Sequence, residues 1–247
     1  MVIQQKVSKR TWEKEFSSGE WEGLDSAPSE RARHAIIGMF LNYFCPDGKI
    51  LDVGCGLGTT TDFLNPAQSS KYLGIDISET AVSEAVRRKK MNFRSIDFLE
   101  FPVHEKFNVI IFNEVLYYLD EEAAVKHSLN LLEEDGFIIV SLYRQKNMHY
   151  NDKSIWRICR KYFNPIDNVE INSIIIDGRL ISWRIEILRK KESFIEEKLK
   201  HKEKIGKVHF DTNVFKKFLT SIYKKFTKVK IKRKTTQDIT SDWDRKY

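Results

Sequence analysis

The chain has 247 residues, of which 41% are hydrophobic and 31% charged, a composition typical of a folded globular protein and not of a disordered one. Its length predicts one large domain, or one domain with a sizeable insertion. Charge is uneven: residues 1–150 hold 17 Lys and Arg against 22 Asp and Glu, whereas residues 151–247 hold 25 against 13.

The apolar runs are too short and too interrupted to span a bilayer, and the first residues lack the apolar core and cleavage site of a secretory signal. We therefore expect a cytoplasmic protein without membrane association. Its three cysteines, Cys45, Cys55 and Cys159, form no Cys-x-x-Cys pair, so we expect free thiols and no metal site.

The first 44 residues predict helices. Trp12 and Trp21 precede a segment, ARHAIIGMFLNYF, whose apolar positions recur at helical spacing. The two tryptophans fit either a lid that closes over a ligand or simple packing anchors. The sequence leaves both interpretations open.

Short apolar strands then alternate with helices. The pattern predicts strands that end near Val53, Asp76, Asp97, Asn113 and Tyr143, with intervening helices that include 79–90 and 121–132. Such alternation is typical of a Rossmann-like, doubly wound and mostly parallel sheet covered on both faces.

Beyond Tyr143 the pattern changes. A helix at 154–163 is followed by two alternating segments joined by Asp177-Gly178, a strong hairpin signal. We expect residues 145–207 to form an inserted hairpin and helix cap. Residues 1–144, with the N-terminal helical lid, and 208–247 would form one domain around a seven-stranded sheet.

The most informative stretch is KILDVGCGLGTTT at 49–61. Glycines at 54, 56 and 58 follow the first strand, as in nucleotide-binding turns, but they lack the Gly-x-Gly-x-x-Gly spacing of dinucleotide sites. Asp52 precedes them, and a carboxylate suits an ammonium group better than a pyrophosphate. The stretch therefore favours S-adenosylmethionine.

With carboxylates at successive strand ends and the NEVLYYL segment after the fourth strand, the chain resembles the class I S-adenosylmethionine-dependent methyltransferases over about residues 30–143. The resemblance implies an S-adenosylmethionine cofactor, a ribose contact from Asp76 and an adenine contact from Asp97 and Phe98. The full set of implied cofactor-binding residues is Asp52, Gly54, Cys55, Gly56, Gly58, Asp76, Ile77, Asp97, Phe98 and Asn113.

Candidates for catalysis lie in the loop after the fourth strand. Glu114, Tyr117 and Tyr118 are the residues expected to act there, although either tyrosine fits a core position as well. Trp21, Tyr143 and Trp183 are the expected substrate-binding residues. In many relatives a histidine stands at the position of Tyr118, so a histidine base is not expected at that position.

The resemblance implies methyl transfer to nitrogen or oxygen of a small molecule such as an amine, an amino sugar or a hydroxylated metabolite. Two alternatives remain. The basic C-terminal part is also suited to RNA phosphates, which would make the protein an RNA methyltransferase. The chain would otherwise be a cofactor-binding scaffold without activity.

Overall fold

The computed structural model describes residues 7–144, 152–174 and 180–191, all within one compact unit, Met1–Lys198. Its helices are α1 (Lys9–Ser17), α2 (Glu22–Ser26), α3 (Pro28–Phe44), α4 (Pro66–Ser69), α5 (Glu79–Lys89), α6 (Glu121–Leu131) and α7 (Asp152–Tyr162). Its strands are β1 (Ile50–Val53), β2 (Tyr72–Asp76), β3 (Phe93–Ser95), β4 (Phe107–Asn113), β5 (Leu132–Arg144), β6 (Phe163–Ile174) and β7 (Leu180–Lys190).

The strands form one seven-stranded sheet in the order β3-β2-β1-β4-β5-β7-β6. Strands β1 to β5 are parallel, and β7 runs antiparallel to both β5 and β6. The predicted mostly parallel, doubly wound sheet is confirmed.

The hairpin strands that we expected in an inserted cap are part of the sheet itself. The hairpin strands do not cover the cleft from outside, because β7 pairs along β5 from Phe137–Arg189 to Arg144–Ser182 and β6 pairs along β7. Their alternating pattern signals strands, but a sequence does not show which sheet edge a hairpin joins. Strands β6 and β7 are thus the sixth and seventh strands of the sheet.

The division at 144/145 and 207/208 stays a prediction. Residues 192–247 and the Asp177-Gly178 turn lie outside the described residues. None of the helices described is long and apolar enough to cross a membrane.

Each face of the sheet buries its own core. On one face Ile50, Val109 and Ile111 pack with Ile37 and Leu41 of α3. The alternate positions on the same strands face α6 and α7, with Leu51, Ile110, Phe112, Leu129 and Trp156 in that second core. Burial on both faces explains why the central strands are continuous apolar runs.

A charged residue of β7 is also buried. The alternation of β7 predicts that Glu186 faces away from the core, yet its side chain is fully buried. It accepts two hydrogen bonds from Arg160 Nη2, at 2.7 and 2.8 Å, and lies 2.6 Å from Arg184 Nε. A buried carboxylate is tolerable when it is paired in this way.

Replacing Glu186 with glutamine should lower the free energy of unfolding by about 1–3 kcal/mol, because two arginines then lose their buried counter-charge. Urea denaturation measures the change. The matched control is Glu170→Gln: the Glu170 side chain is 45% exposed while pairing with Arg144, so its loss should cost less than about 1 kcal/mol. Equal effects of the two substitutions would contradict a special role for the buried carboxylate.

Candidate active site

A single cavity opens at the carboxyl ends of β1, β2 and β4, where ligands bind in doubly wound sheets. The register explains its position, because Val53 at the end of β1 pairs with Ile75 of β2 and Phe112 of β4. The loops that follow these three strands therefore start side by side.

Most of the sequence-predicted residues line this cavity. Those that do are Asp52, Gly54, Cys55, Gly56, Asp76, Ile77, Asp97, Phe98, Asn113, Glu114, Tyr118 and Trp21. Gly58, Tyr117, Tyr143 and Trp183 do not belong to its lining.

The glycine turn adopts a backbone that other residues rarely take. Gly54, Gly56 and Gly58 have φ angles of +66°, +51° and +78°, in the left-handed region where a side chain is strained. A Cβ on Gly54 would also lie 2.6 Å from Val115 Cγ2, and one on Gly58 would lie 2.8 Å from the Phe93 ring. Gly58 therefore shapes the turn from outside the cavity.

Asp76 ties the glycine turn to the end of β2. One carboxylate oxygen accepts the Gly56 N–H at 3.0 Å and the other accepts the Ser78 N–H at 2.9 Å. Burial raises the pKa of this carboxyl group, and the backbone donors oppose the rise. Asp97 caps the short 3₁₀ turn 98–100 by accepting the Leu99 N–H at 2.9 Å.

Asp52 lies deeper, with 1% of its surface exposed. It accepts a hydrogen bond from Tyr72 Oη at 2.9 Å and another from Thr60. Burial nevertheless raises its pKa to about 6, because two hydroxyl donors stabilise the charge less than water does. The Asp52 carboxyl group therefore changes its charge just below neutral pH.

A histidine that the sequence analysis did not single out lines the same cavity as Asp52. His34 of α3 lines the cavity, with Nδ1 3.0 Å from Thr60 Oγ1 and 3.3 Å from Asn113 Nδ2. Burial holds its pKa well below the usual range, helped by the positive charges of Arg33, Arg31 and Lys89. The imidazole is therefore uncharged at neutral pH.

Glu114 has a left-handed backbone, with φ +61°, which is uncommon outside glycine. Its Oε2 accepts from Tyr117 Oη at 2.5 Å and from the Tyr143 N–H at 3.0 Å. Its Oε1 accepts from Ser141 Oγ at 2.8 Å and lies 3.3 Å from Arg33 Nη1. Both oxygens are thus occupied by protein donors, a geometry suited to holding the loop in place.

The same network explains why two expected substrate residues lie behind the cavity. Trp183 is only 2% exposed, and its ring lies 5.7 Å from both the Arg33 guanidinium and the Tyr143 ring. Arg33 and Glu114 line the cavity whereas Tyr143 and Trp183 do not, so Trp183 supports the cavity wall through its contact with Arg33. The expectation that Trp183 and Tyr143 bind substrate directly is not supported by this geometry.

Helix α1 lies over the cavity. Trp12 and Phe16 line it together with Trp21, while Glu13 accepts hydrogen bonds from the Glu79 and Thr80 N–H groups and from Ser78 Oγ, at 2.6, 3.2 and 3.0 Å. A carboxylate at the amino end of α5 is favourable because the unpaired N–H groups there carry partial positive charge. This position agrees with the lid interpretation of the two tryptophans.

Several lining residues escaped the sequence-based prediction: Val7, Phe16, Arg33, His34, Leu57, Thr59, Thr60, Ile96, Leu99, Val115, Leu119 and Asp120. Arg33 and His34 gave no signal because a helix 20 residues before the glycine turn reaches the site only through packing. The described residues include no group of three or more His, Cys, Asp or Glu side chains placed to hold a metal ion. Cys45, Cys55 and Cys159 are buried free thiols.

The raised pKa of Asp52 predicts a pH-dependent effect on stability. Between an unfolded pKa of 3.8 and a folded value of about 6, the folded chain binds more protons, so ionisation of Asp52 costs stability as the pH rises. The difference in free energy of unfolding between Asp52→Asn and the wild type should therefore shift in favour of the variant by about 2–3 kcal/mol as the pH rises from 4 to 7.5. Urea unfolding of both proteins at the two pH values measures this, and a pH-independent difference would contradict it.

Comparison with known proteins places these features in a family. Residues 46–163 match the model of a methyltransferase domain. Nodulation protein S of Rhizobium tropici is 31% identical over 132 residues, 50% of this chain and 55% of that protein, and its counterpart in Sinorhizobium fredii is 29% identical over 44% and 52%. The chain thus spans about half the length of these curated relatives.

Two solved structures share the fold. The N-methyltransferase NodS from Bradyrhizobium japonicum, in complex with S-adenosyl-L-homocysteine, superposes with a TM-score of 0.61 at 22% identity, covering 74% of this chain and 97% of that one. Magnesium protoporphyrin IX methyltransferase from Synechocystis, with bound S-adenosylmethionine, gives 0.61 at 17% identity over 77% and 99%. Residues 46–163 are thus a methyltransferase domain, and the described part of the chain has the fold of these S-adenosylmethionine-dependent methyltransferases.

Proposed function

We propose that this protein is an S-adenosylmethionine-dependent N-methyltransferase that acts on a small-molecule amine. One observation carries the proposal: three carboxylates, Asp52, Asp76 and Asp97, meet the glycine turn in one cavity at the strand ends. The relatives support it, because one is an N-methyltransferase and another is a methyltransferase for magnesium protoporphyrin IX.

The described residues fit the cofactor. Ile77 and Phe98 offer apolar surfaces for adenine, and the Asp76 carboxylate has the two acceptor oxygens that vicinal ribose hydroxyls require. The methionine portion would lie against Gly54 and Gly56, where Asp52 supplies an acceptor for its ammonium group. Asn113 Oδ1 is buried without a hydrogen-bond partner among the described residues, and buried acceptors normally have one.

When bound, S-adenosylmethionine supplies an electrophilic methyl group that the acceptor's nitrogen lone pair attacks in line, leaving S-adenosylhomocysteine. The chain's contribution is mainly orientation and exclusion of water. Helix α1 covers the cavity, and the braced Glu114 fixes the loop that faces the acceptor. An amine that binds with its lone pair free needs no base for the attack, which suits a site where Glu114 is already occupied.

The nucleic-acid alternative gains nothing from these relatives, and most of the basic segment behind it lies outside the described residues. A scaffold without activity would not require a helix over the cavity or an acceptor loop held in place by Glu114. Methyl transfer to an amine is therefore the function that the geometry supports best.

Transfer of labelled methyl from S-adenosylmethionine to matched acceptor pairs tests the proposal. Each aliphatic amine or amino sugar is paired with the alcohol of the same skeleton. We expect methylation of amines and only background with the alcohols, since the Glu114 carboxylate that would remove a hydroxyl proton is already engaged by protein donors. Methylation of alcohols alone, or of RNA, would overturn the assignment.

Asp76→Asn provides the matched test of the cofactor site. It should weaken S-adenosylhomocysteine binding about 10- to 100-fold, because an amide accepts fewer hydrogen bonds than a carboxylate. Asp62→Asn is the control, since Asp62 follows the same turn but pairs outside the cavity with Arg31 and Lys89. Calorimetry measures both, and an unchanged dissociation constant for Asp76→Asn would remove Asp76 from the site.

A further inference from the structure

Two aromatic rings form a corner in the cavity wall. Trp12 of α1 and Tyr118 of the acceptor loop lie 4.8 Å apart between centroids and at 84° to each other. Trp21 lies 5.6 Å from Trp12 on the other side. All three rings line the cavity and are only half-buried. Large aromatic faces are therefore presented to whatever occupies this end.

The charge around the corner is negative. Asp120 follows Tyr118 by two residues and lines the cavity, and so does Glu114. Among the described residues of this lining, Arg33 is the single arginine or lysine, and it is already paired with Glu30 at 2.7 Å and with Glu114 at 3.3 Å. Arg33, Glu30 and Glu114 together thus carry a net charge of −1.

Asp52, Asp76 and Asp97 lie at the strand ends, where the proposed function places the cofactor. Of the other carboxylates in the lining, Glu114 is held by protein donors and Asp120 accepts the Ala123 N–H at 3.0 Å, and both add negative charge there. The histidine in the lining, His34, adds no compensating charge, because burial keeps its pKa well below the usual range. An anionic acceptor would be repelled at this end, and a neutral one would gain nothing from the field.

Building on the proposed function, we propose that the corner of Trp12 and Tyr118 is a subsite for cations. It selects aliphatic amines that carry an ammonium group. Ring faces attract cations electrostatically, and carboxylates at the rim add to that attraction. The aromatic rings exclude water as well, which a surface of carboxylates alone does not do.

A cation subsite is compatible with attack by a neutral amine. The reacting nitrogen loses its proton to solvent before transfer, and the methylated product is a cation again. The corner can also hold a second ammonium group of a polyamine or amino sugar while the reacting nitrogen stays neutral. In each case the subsite recognises the charge rather than the lone pair.

The test compares two probes of the same shape. Choline and 3,3-dimethylbutan-1-ol differ in that a carbon replaces the charged nitrogen. Calorimetry on the full chain saturated with S-adenosylhomocysteine should give a choline affinity about tenfold above that of the neutral alcohol. Equal affinities, or no choline binding, would overturn the proposal.

Three variants locate the effect. Trp12→Leu with Tyr118→Leu should reduce the preference for choline to less than about twofold, whereas Tyr118→Phe keeps a ring and should retain it. Tyr43→Leu is the control, because Tyr43 is 76% exposed on α3 and outside the cavity lining. A preference that survives in the double leucine variant would overturn the assignment to this corner. Failure of the wild type to bind S-adenosylhomocysteine would instead contradict the proposed function.

Discussion

The turn between Val53 and Thr59 has no room for a side chain at position 54 and has a left-handed backbone at positions 54, 56 and 58. The rest of the site depends on this constraint. Gly54 lies against Val115 so closely that a single added carbon would clash. Gly56 gives its N–H to Asp76. The turn after β1 therefore holds the loops after β2 and β4 at fixed distances. A side chain at position 54 would push Val115, and with it the loop after β4, away from the turn.

A second constraint acts from the opposite side of the cavity. Glu114 holds a left-handed backbone, which is uncommon for a residue with a side chain. Tyr117, Ser141, the Tyr143 N–H and Arg33 all engage its carboxylate. Arg33 in turn lies over Trp183 of β7. The loop after β4 is thus supported through Arg33 by a residue of β7, which links the hairpin strands to the site.

The sequence predicts the half of the site that belongs to strand ends. Asp52, Asp76, Asp97 and Asn113 are recognisable because each follows or ends an apolar run, and parallel strands bring such ends to one edge. Arg33 and His34 are different. They lie on the amphipathic helix α3, where a polar residue that faces a cavity has the same pattern as one that faces solvent.

The position of β6 and β7 in the sheet also could not be predicted from the sequence. Alternation in β7 correctly marks a strand, but the burial of Glu186 depends on Arg160 of α7, a partner whose placement only tertiary packing decides. Likewise, Asp177-Gly178 in the sequence predicts a hairpin but does not show that one of its strands pairs with β5. In physical terms, local periodicity predicts elements, whereas long-range pairing decides which faces and edges they bury.

The central claim is that the glycine turn, Asp76 and the acceptor loop hold one S-adenosylmethionine between them. A crystal structure of the chain with S-adenosylhomocysteine bound tests it most directly. The account predicts ribose hydroxyls on the Asp76 carboxylate, adenine beside Asp97 and Phe98, and the sulfur pointing toward Tyr118 and Trp12. Density for the ligand outside this cavity, or a bound pose that leaves Asp76 without contact to the ribose, would contradict it.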